Sequence, residues 1–197
     1  MNQYLDNRIQ INVEYQAVMH VQNFLLLMHL RFEYVDINVV FYIRLSRKKA
    51  EQIYMSGSTF EIGKANTLRE GSDATIIASG ICVADACRVA DKLADEGIHV
   101  RVLDMFTIKP IDKEAIIKAS KETGAIVTVE NHNIMNGLGS AVSEVLSEEA
   151  PCRMKRLGAP DCFGEVGTVP FLKEKYHMAE KDIEEAVKSL VSKKDVA

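Results

Sequence analysis

The sequence predicts an α/β protein, a three-layer α/β/α sandwich, and three observations carry that prediction. From about residue 74 onward, short apolar runs alternate with longer segments of helical periodicity. One of those runs, Ala125–Val129, is apolar without interruption, as a strand covered on both faces must be, so the sheet is expected to be parallel. A composition 47% apolar and 26% charged suffices to bury a core over 197 residues, which excludes disordered, collagen-like and coiled-coil classes.

The elements follow in order. Ala74–Ser79 reads as a first strand closed by Gly80; the next helix carries Val83, Ala86, Ala90 and Leu93 on one face and stops at Gly97. Ile98–Leu103 is a second strand. Pro110-Ile111-Asp112 opens a helix through Ile116 and Ala119 that ends at Gly124. After the strand Ala125–Val129 come a helix with Ala141, Val142, Val145 and Leu146, a strand near Met154–Leu157, and a terminal helix with Ile183, Ala186, Val187, Leu190 and Val191 inward. Right-handed crossovers then place helices on both faces, with the ligand crevice at the carboxyl ends of the strands. The start of the chain has another texture: every glycine lies at or beyond Gly57 and every proline at or beyond Pro110. There a helix around Val18–Leu30 and a strand Val39–Ile43 are the expected elements.

Charge and composition narrow the partners. A formal net charge of −4, with no like-charge block beyond Arg47-Lys48-Lys49, offers no footprint for nucleic acid. The most apolar stretch, Val18–Leu30, is interrupted by His20, Gln22, Asn23 and His29, whereas a bilayer span needs about 20 apolar residues. Asp6 and Glu14 sit where a secretory signal would carry basic residues. Cys82, Cys87, Cys152 and Cys162 lack the two-residue spacing of a zinc knuckle or redox pair. A cytoplasmic protein with reduced thiols, bound neither to membrane nor to nucleic acid, is the expectation.

Of the strand ends, Glu130-Asn131-His132-Asn133 is the chemically rich one. Glu130 and His132 would share a face as a base and its orienter, yet no nucleophile or second acid converges on them, so an interface loop is the preferred reading. Asn136-Gly137-Leu138-Gly139-Ser140 precedes a helix and could cradle a phosphate, although a tight turn with close helix packing is preferred. Asp161, Cys162 and Glu165 share a loop without fixing a metal geometry. Arg44 and Arg47 project from the end of an extended run, where arginine would fork onto phosphate or carboxylate oxygens or simply face solvent.

Several segments resemble the carboxyl-terminal domain of transketolase: Ser79–Ala86, Asp104–Asp112, Val127–Asn133, Gly137–Val142 and Arg156–Gly164, all in that family's order and spacing. The likeness runs from about Tyr42 to about Leu190, and its Glu-Asn-His variant is similar to two-subunit transketolases more than to deoxyxylulose-phosphate synthase or 2-oxo acid dehydrogenase β subunits. The resemblance implies a mainly parallel five-stranded sheet at residues 67–192, preceded by the end of a pyrimidine-type domain and a linker at 42–66 and an atypical segment of irregular fold at 1–41. It implies thiamine diphosphate and Mg²⁺ in the complete enzyme, with two-carbon ketol transfer between the sugar phosphates of the pentose phosphate pathway. The domain present here would support a dimer or a hetero-oligomer with an amino-terminal subunit, bind no cofactor alone, contribute no catalytic residue and be inactive by itself. Leu45-Ser46-Arg47 matches the family's phosphate-binding segment, which implies a substrate-binding role for Arg47. Residues 1 to about 40 do not resemble a pyrimidine domain, so the chain is expected to be a truncated or misdelimited part of a larger protein. A non-catalytic α/β interaction module is the alternative. Ala179 stands where the last helix would be expected to carry a Ser or Thr cap, whose loss costs about 1 kcal/mol.

Overall fold

The computed structural model describes residues 10–13, 30–32, 44 and 50–192. Three short strands, β1 (Gln10–Val13), β2 (Leu30–Phe32) and β3 (Thr59–Glu61), pair antiparallel in the order β2-β1-β3. The helix expected over Val18–Leu30 lies outside the described residues except for Leu30, which opens β2, and the strand expected at Val39–Ile43 lies wholly outside them.

The body of the protein is the three-layer sandwich. Its strands are β4 (Asn66–Arg69), β5 (Ala74–Ala78), β6 (Val100–Asp104), β7 (Ala125–Asn133) and β8 (Arg153–Ala159), arranged β4-β6-β5-β7-β8. All neighbours are parallel except β4, which runs antiparallel along β6 at the edge. Its Asn-Thr-Leu-Arg sequence escapes an apolar-run search because it is half-exposed on alternate residues.

Strand parity divides the core. Ala74, Ile76, Ala78, Val100, Val102, Val127 and Val129 face α1 (Val83–Asp95) and α5 (Glu180–Val191). Ile77, Leu103 and Ile126 face the opposite layer, α2 (Lys113–Thr123) and α3 (Leu138–Glu149). The helix boundaries have local causes. Asp112 accepts the Ala115 N–H at 3.0 Å to start α2, and Gly124, at φ 61°, ends it in a left-handed turn that disfavours side chains. Ala179 offers α5 no side-chain cap, but the Asp182 carboxylate returns to accept its backbone N–H at 3.0 Å, the half of a capping box that needs no side chain at the cap position. A further short helix, α4 (Val169–Lys175), starts from Thr168, whose hydroxyl accepts the Phe171 N–H at 3.4 Å. Sequence periodicity does not reveal it, because at seven residues it is shorter than two turns and buries no side chain fully. No helix among the described residues is long and apolar enough to cross a membrane.

Leu93, wholly buried between α1 and the sheet, is expected to lose about 3 kcal/mol on replacement by Ala. Met55→Ala, at a side chain 85% exposed, should stay within about 0.5 kcal/mol of wild type. Urea unfolding followed by circular dichroism checks both.

Candidate functional site

From β5 the chain crosses through α1 to β6 on one side, and from β7 it crosses through α3 to β8 on the other. The carboxyl ends of β5 and β7 therefore flank the point where the winding reverses, which is where open α/β sheets take their ligands. Gly80 forms one lip of that crevice and Asn131 the other: a Cβ on Gly80 would stand 3.2 Å from the Asn131 side-chain oxygen. Arg44 reaches the second lip, its Nη2 donating to the Asn131 carbonyl at 2.7 Å. Lys173 of α4 caps the first, donating to the Ile81 carbonyl at 3.3 Å and to the buried carboxylate of Asp85. Beside it a partly open cavity of about 360 Å³ is lined by Gly80, Asp85, Arg88, Val169 and Lys173.

Glu130 does something the sequence reading did not assign to it. It is 2% exposed, and its two carboxylate oxygens accept the Leu138 and Gly139 backbone N–H groups at 2.7 and 2.8 Å. These are first-turn donors of α3, so the helix terminus holds an anion, as the Gly-Leu-Gly pattern permits, and the anion belongs to the chain itself. The preference for close packing over phosphate binding therefore holds for a specific reason. A Cβ on Gly137 would lie 2.0 Å from Glu130 Oε2, and one on Gly139 2.9 Å from both Thr128 Oγ1 and Arg156 Cδ. Arg156 then clamps the loop through its Nη1, 3.2 Å from the Ile134 carbonyl and 3.2 Å from Ser140 Oγ.

Glu130 and His132 do not form a base and orienter. Glu130 points into the interior, whereas His132 is exposed, with Nδ1 3.0 Å from the Asn133 carbonyl. The interface reading of Glu130 is corrected for the same reason, because a buried side chain held by its own helix offers nothing to a partner. The loop with Asp161, Cys162 and Glu165 is exposed; Glu165 pairs with Lys175 at 2.5 Å, and no group of His, Cys, Asp and Glu able to hold a metal occurs among the described residues. Arg47 lies outside the described residues.

Two buried acids escape sequence reading. Asp85 binds both Arg88 and Lys173, joining α1 to α4, while Arg88 also reaches Glu180 at 2.7 Å at the start of α5. The signal was there in part: an Asp among Val83, Ala84 and Ala86 on an inward face requires a cation, and Arg88 follows at i+3, but Lys173 is too distant in sequence to infer. Asp104, at the end of β6, accepts the Tyr54 hydroxyl at 2.7 Å. Burial pushes its carboxyl up to about 6, against the lowering effect of that hydrogen bond. Burial also pushes the Cys82 thiol up to about 12, opposed by the charges of Lys173 and Arg44, so this cysteine is protonated and inert as a nucleophile.

The fold and site thus define an α/β domain whose strand-end crevice is flanked by the chain's own ion pairs. Residues 63–183 match the family described as "Transketolase, C-terminal domain", and the chain belongs to that family. It is 46% identical over 154 residues to a 6-deoxy-6-sulfo-D-fructose transketolase subunit of Clostridium sp. (strain MSTE9), covering 78% of this chain and 48% of that one. It is 42% identical over 134 residues to a 1-deoxy-D-xylulose-5-phosphate synthase of Heliobacterium modesticaldum, covering 68% of this chain and 21% of that one. Among solved structures it is similar to a split-gene transketolase described as an inactive β4 tetramer, with 42% identity and a TM-score of 0.71, covering 74% of this chain and 48% of that chain. The match therefore spans about half the length of the Clostridium subunit.

Two outcomes follow. Glu130→Gln places an amide N–H₂ where one α3 donor needs an acceptor, and is expected to cost about 2 kcal/mol in urea unfolding. Asp104 has a folded pKa of about 6, above its ordinary 3.8, so the folded state binds the proton more tightly and the group's stabilising contribution declines as pH rises through that window. Asp104→Asn, which keeps an acceptor for Tyr54, is expected to gain about 2 kcal/mol at pH 7 relative to wild type and to lose that advantage near pH 4. A variant no more stable than wild type at pH 7 would contradict this.

Proposed function

We propose that this chain supplies the carboxyl-terminal domain of a thiamine-diphosphate-dependent transketolase and takes part in two-carbon ketol transfer between sugar phosphates only when an amino-terminal subunit completes the site. The observation that carries this reading is the match of residues 63–183 to the family, joined to the similarity to a transketolase subunit. The assembly would be an oligomer in the cytoplasm.

In the complete enzyme thiamine diphosphate would supply the carbanion chemistry that ketol transfer requires. The glycine-flanked start of α3 does not fit it. A diphosphate would seek a helix terminus such as that of α3, and Glu130 already occupies its Leu138 and Gly139 N–H groups. Thiamine diphosphate and Mg²⁺ are therefore assigned to the domains the partner brings. Substrate phosphate is assigned to Arg47 in Leu45-Ser46-Arg47, a guanidinium suited to forking onto phosphate oxygens. The similarity to a 1-deoxy-D-xylulose-5-phosphate synthase supports a second reading, the equivalent domain of such a synthase.

Transketolase activity with thiamine diphosphate, Mg²⁺ and pentose phosphates is expected to be absent from the chain alone and present when it is mixed with an amino-terminal transketolase subunit. In that mixture Arg47→Ala should raise KM for the sugar phosphate about tenfold or more. Silence of the mixture with folded wild-type protein would favour the non-catalytic interaction module, and an unchanged KM would remove Arg47 from the phosphate site.

A further inference from the structure

The turn between β7 and α3 contains a dipeptide with chemistry of its own. Asn136 is exposed and stands at φ 59°, a left-handed conformation that asparagine tolerates better than most residues, and Gly137 follows it. This is the single Asn-Gly pair in the sequence. The anchor at Glu130 imposes it: a Cβ at position 137 would lie 2.0 Å from Glu130 Oε2, so nothing larger than glycine fits there while that carboxyl holds the Leu138 and Gly139 N–H groups. The Asn136 backbone N–H is committed to Ser140 Oγ at 2.9 Å. The Gly137 N–H and the Asn136 side-chain amide, in contrast, have no hydrogen-bond partner among the described residues. A glycine nitrogen has no neighbouring Cβ to hinder its approach to an asparagine side chain. Asn131 and Asn133, on the same stretch, are followed by His132 and Ile134, whose side chains obstruct that approach.

We propose that Asn136 is a site of spontaneous covalent modification, loss of ammonia through a succinimide, and that its isoaspartyl product releases α3 from Glu130. The Gly137 backbone nitrogen attacks the Asn136 side-chain carbonyl carbon. A new N–C bond forms, the N–H proton passes to water, the bond from that carbon to the amide nitrogen breaks, and ammonia leaves with a proton from solvent. Water then opens the five-membered imide. Opening at the side-chain carbonyl gives aspartate, and opening at the main-chain carbonyl gives isoaspartate; no atom changes oxidation state. Isoaspartate routes the chain through the former side chain and so adds one methylene to the backbone just ahead of Gly137. The contacts that follow have no slack, since a Cβ on Gly139 would already lie 2.9 Å from Thr128 Oγ1 and from Arg156 Cδ. The longer backbone draws the Leu138 and Gly139 N–H groups off Glu130 and leaves a carboxyl of 2% exposure short of donors. Aspartate keeps the backbone length and places its charge beside the amino end of α3, where an anion is stabilised. This inference does not rest on the transketolase reading.

The purified full chain, kept folded in warm, mildly alkaline buffer and followed by mass spectrometry with electron-transfer fragmentation, tests the site. Asn136 is expected to gain about 1 Da at a rate at least about tenfold above Asn131 and Asn133 in the same peptide, with isoaspartate among the products. Asn136→Gly, which keeps the left-handed turn, should abolish the fast conversion. Equal rates at the three asparagines, or conversion at Asn136 only after unfolding in urea, would overturn the site. Hydrogen exchange on the isoaspartyl form, separated chromatographically, tests the consequence: the Leu138 and Gly139 amides are expected to exchange about tenfold faster than in the unmodified chain, and Asn136→Asp to exchange like wild type. Equal protection in the isoaspartyl and unmodified chains would overturn the release of α3. An equal loss of protection in Asn136→Asp would assign the effect to charge and overturn the backbone mechanism.

Discussion

The carboxylate of Glu130 on the amino end of α3 is the interaction around which the strand-end region is organised. A carboxyl side chain with 2% exposure is tolerated in an apolar layer only if its oxygens are filled, and two backbone N–H groups with the helix dipole behind them fill them. The remaining sequence there follows from the space this takes. Gly137 has no room for a Cβ beside Oε2; Gly158 on the neighbouring strand approaches Glu130 Cγ so that a Cβ would lie at 3.3 Å; and Gly139 lets α3 sit down on Thr128 and Arg156. Three glycines and one glutamate, spread over 29 residue positions of sequence, form a single constraint.

The same interaction explains why an anion-binding signature need not bind a ligand. A glycine-flanked helix start after a parallel strand has the donors and the dipole that phosphate requires. Those donors are finite, however, and a carboxylate arriving from the preceding strand at 2.7 and 2.8 Å uses them. The distinction depends on whether Glu130 points inward, which strand parity decides. Residues 126, 128 and 130 share the face toward α3, so Glu130 is directed beneath the helix that its own strand leads into.

Much of the fold was legible because its signals are local. The apolar runs at 74–78 and 125–129, the Asp112 cap and the Gly97 and Gly124 stops act within a few residues, and the helices start and end where those signals place them. What stayed illegible is what depends on a partner distant in sequence. β4 becomes a strand by antiparallel pairing with β6 and has little apolar content of its own; Asp85 finds Lys173 88 residues away; and Glu130 finds donors that exist only once α3 has formed. The pairing of Glu130 with His132 failed for a related reason, since two residues apart places side chains on one face only while the backbone stays regular, and the bulge after Val129 ends that regularity.

That bulge also links the fold to its use. A regular ladder would carry the carbonyls at the end of β7 into β8, whereas the shift leaves the Asn131 carbonyl at the crevice mouth for Arg44. On the opposite lip Lys173 is committed to Ile81 and Asp85 in the same way. Arg44 and Lys173, with Arg88 beside them, thereby face groups of the protein, and a free phosphate would have to displace them from partners they already hold. A crevice whose cations already hold partners discriminates by shape more than by charge.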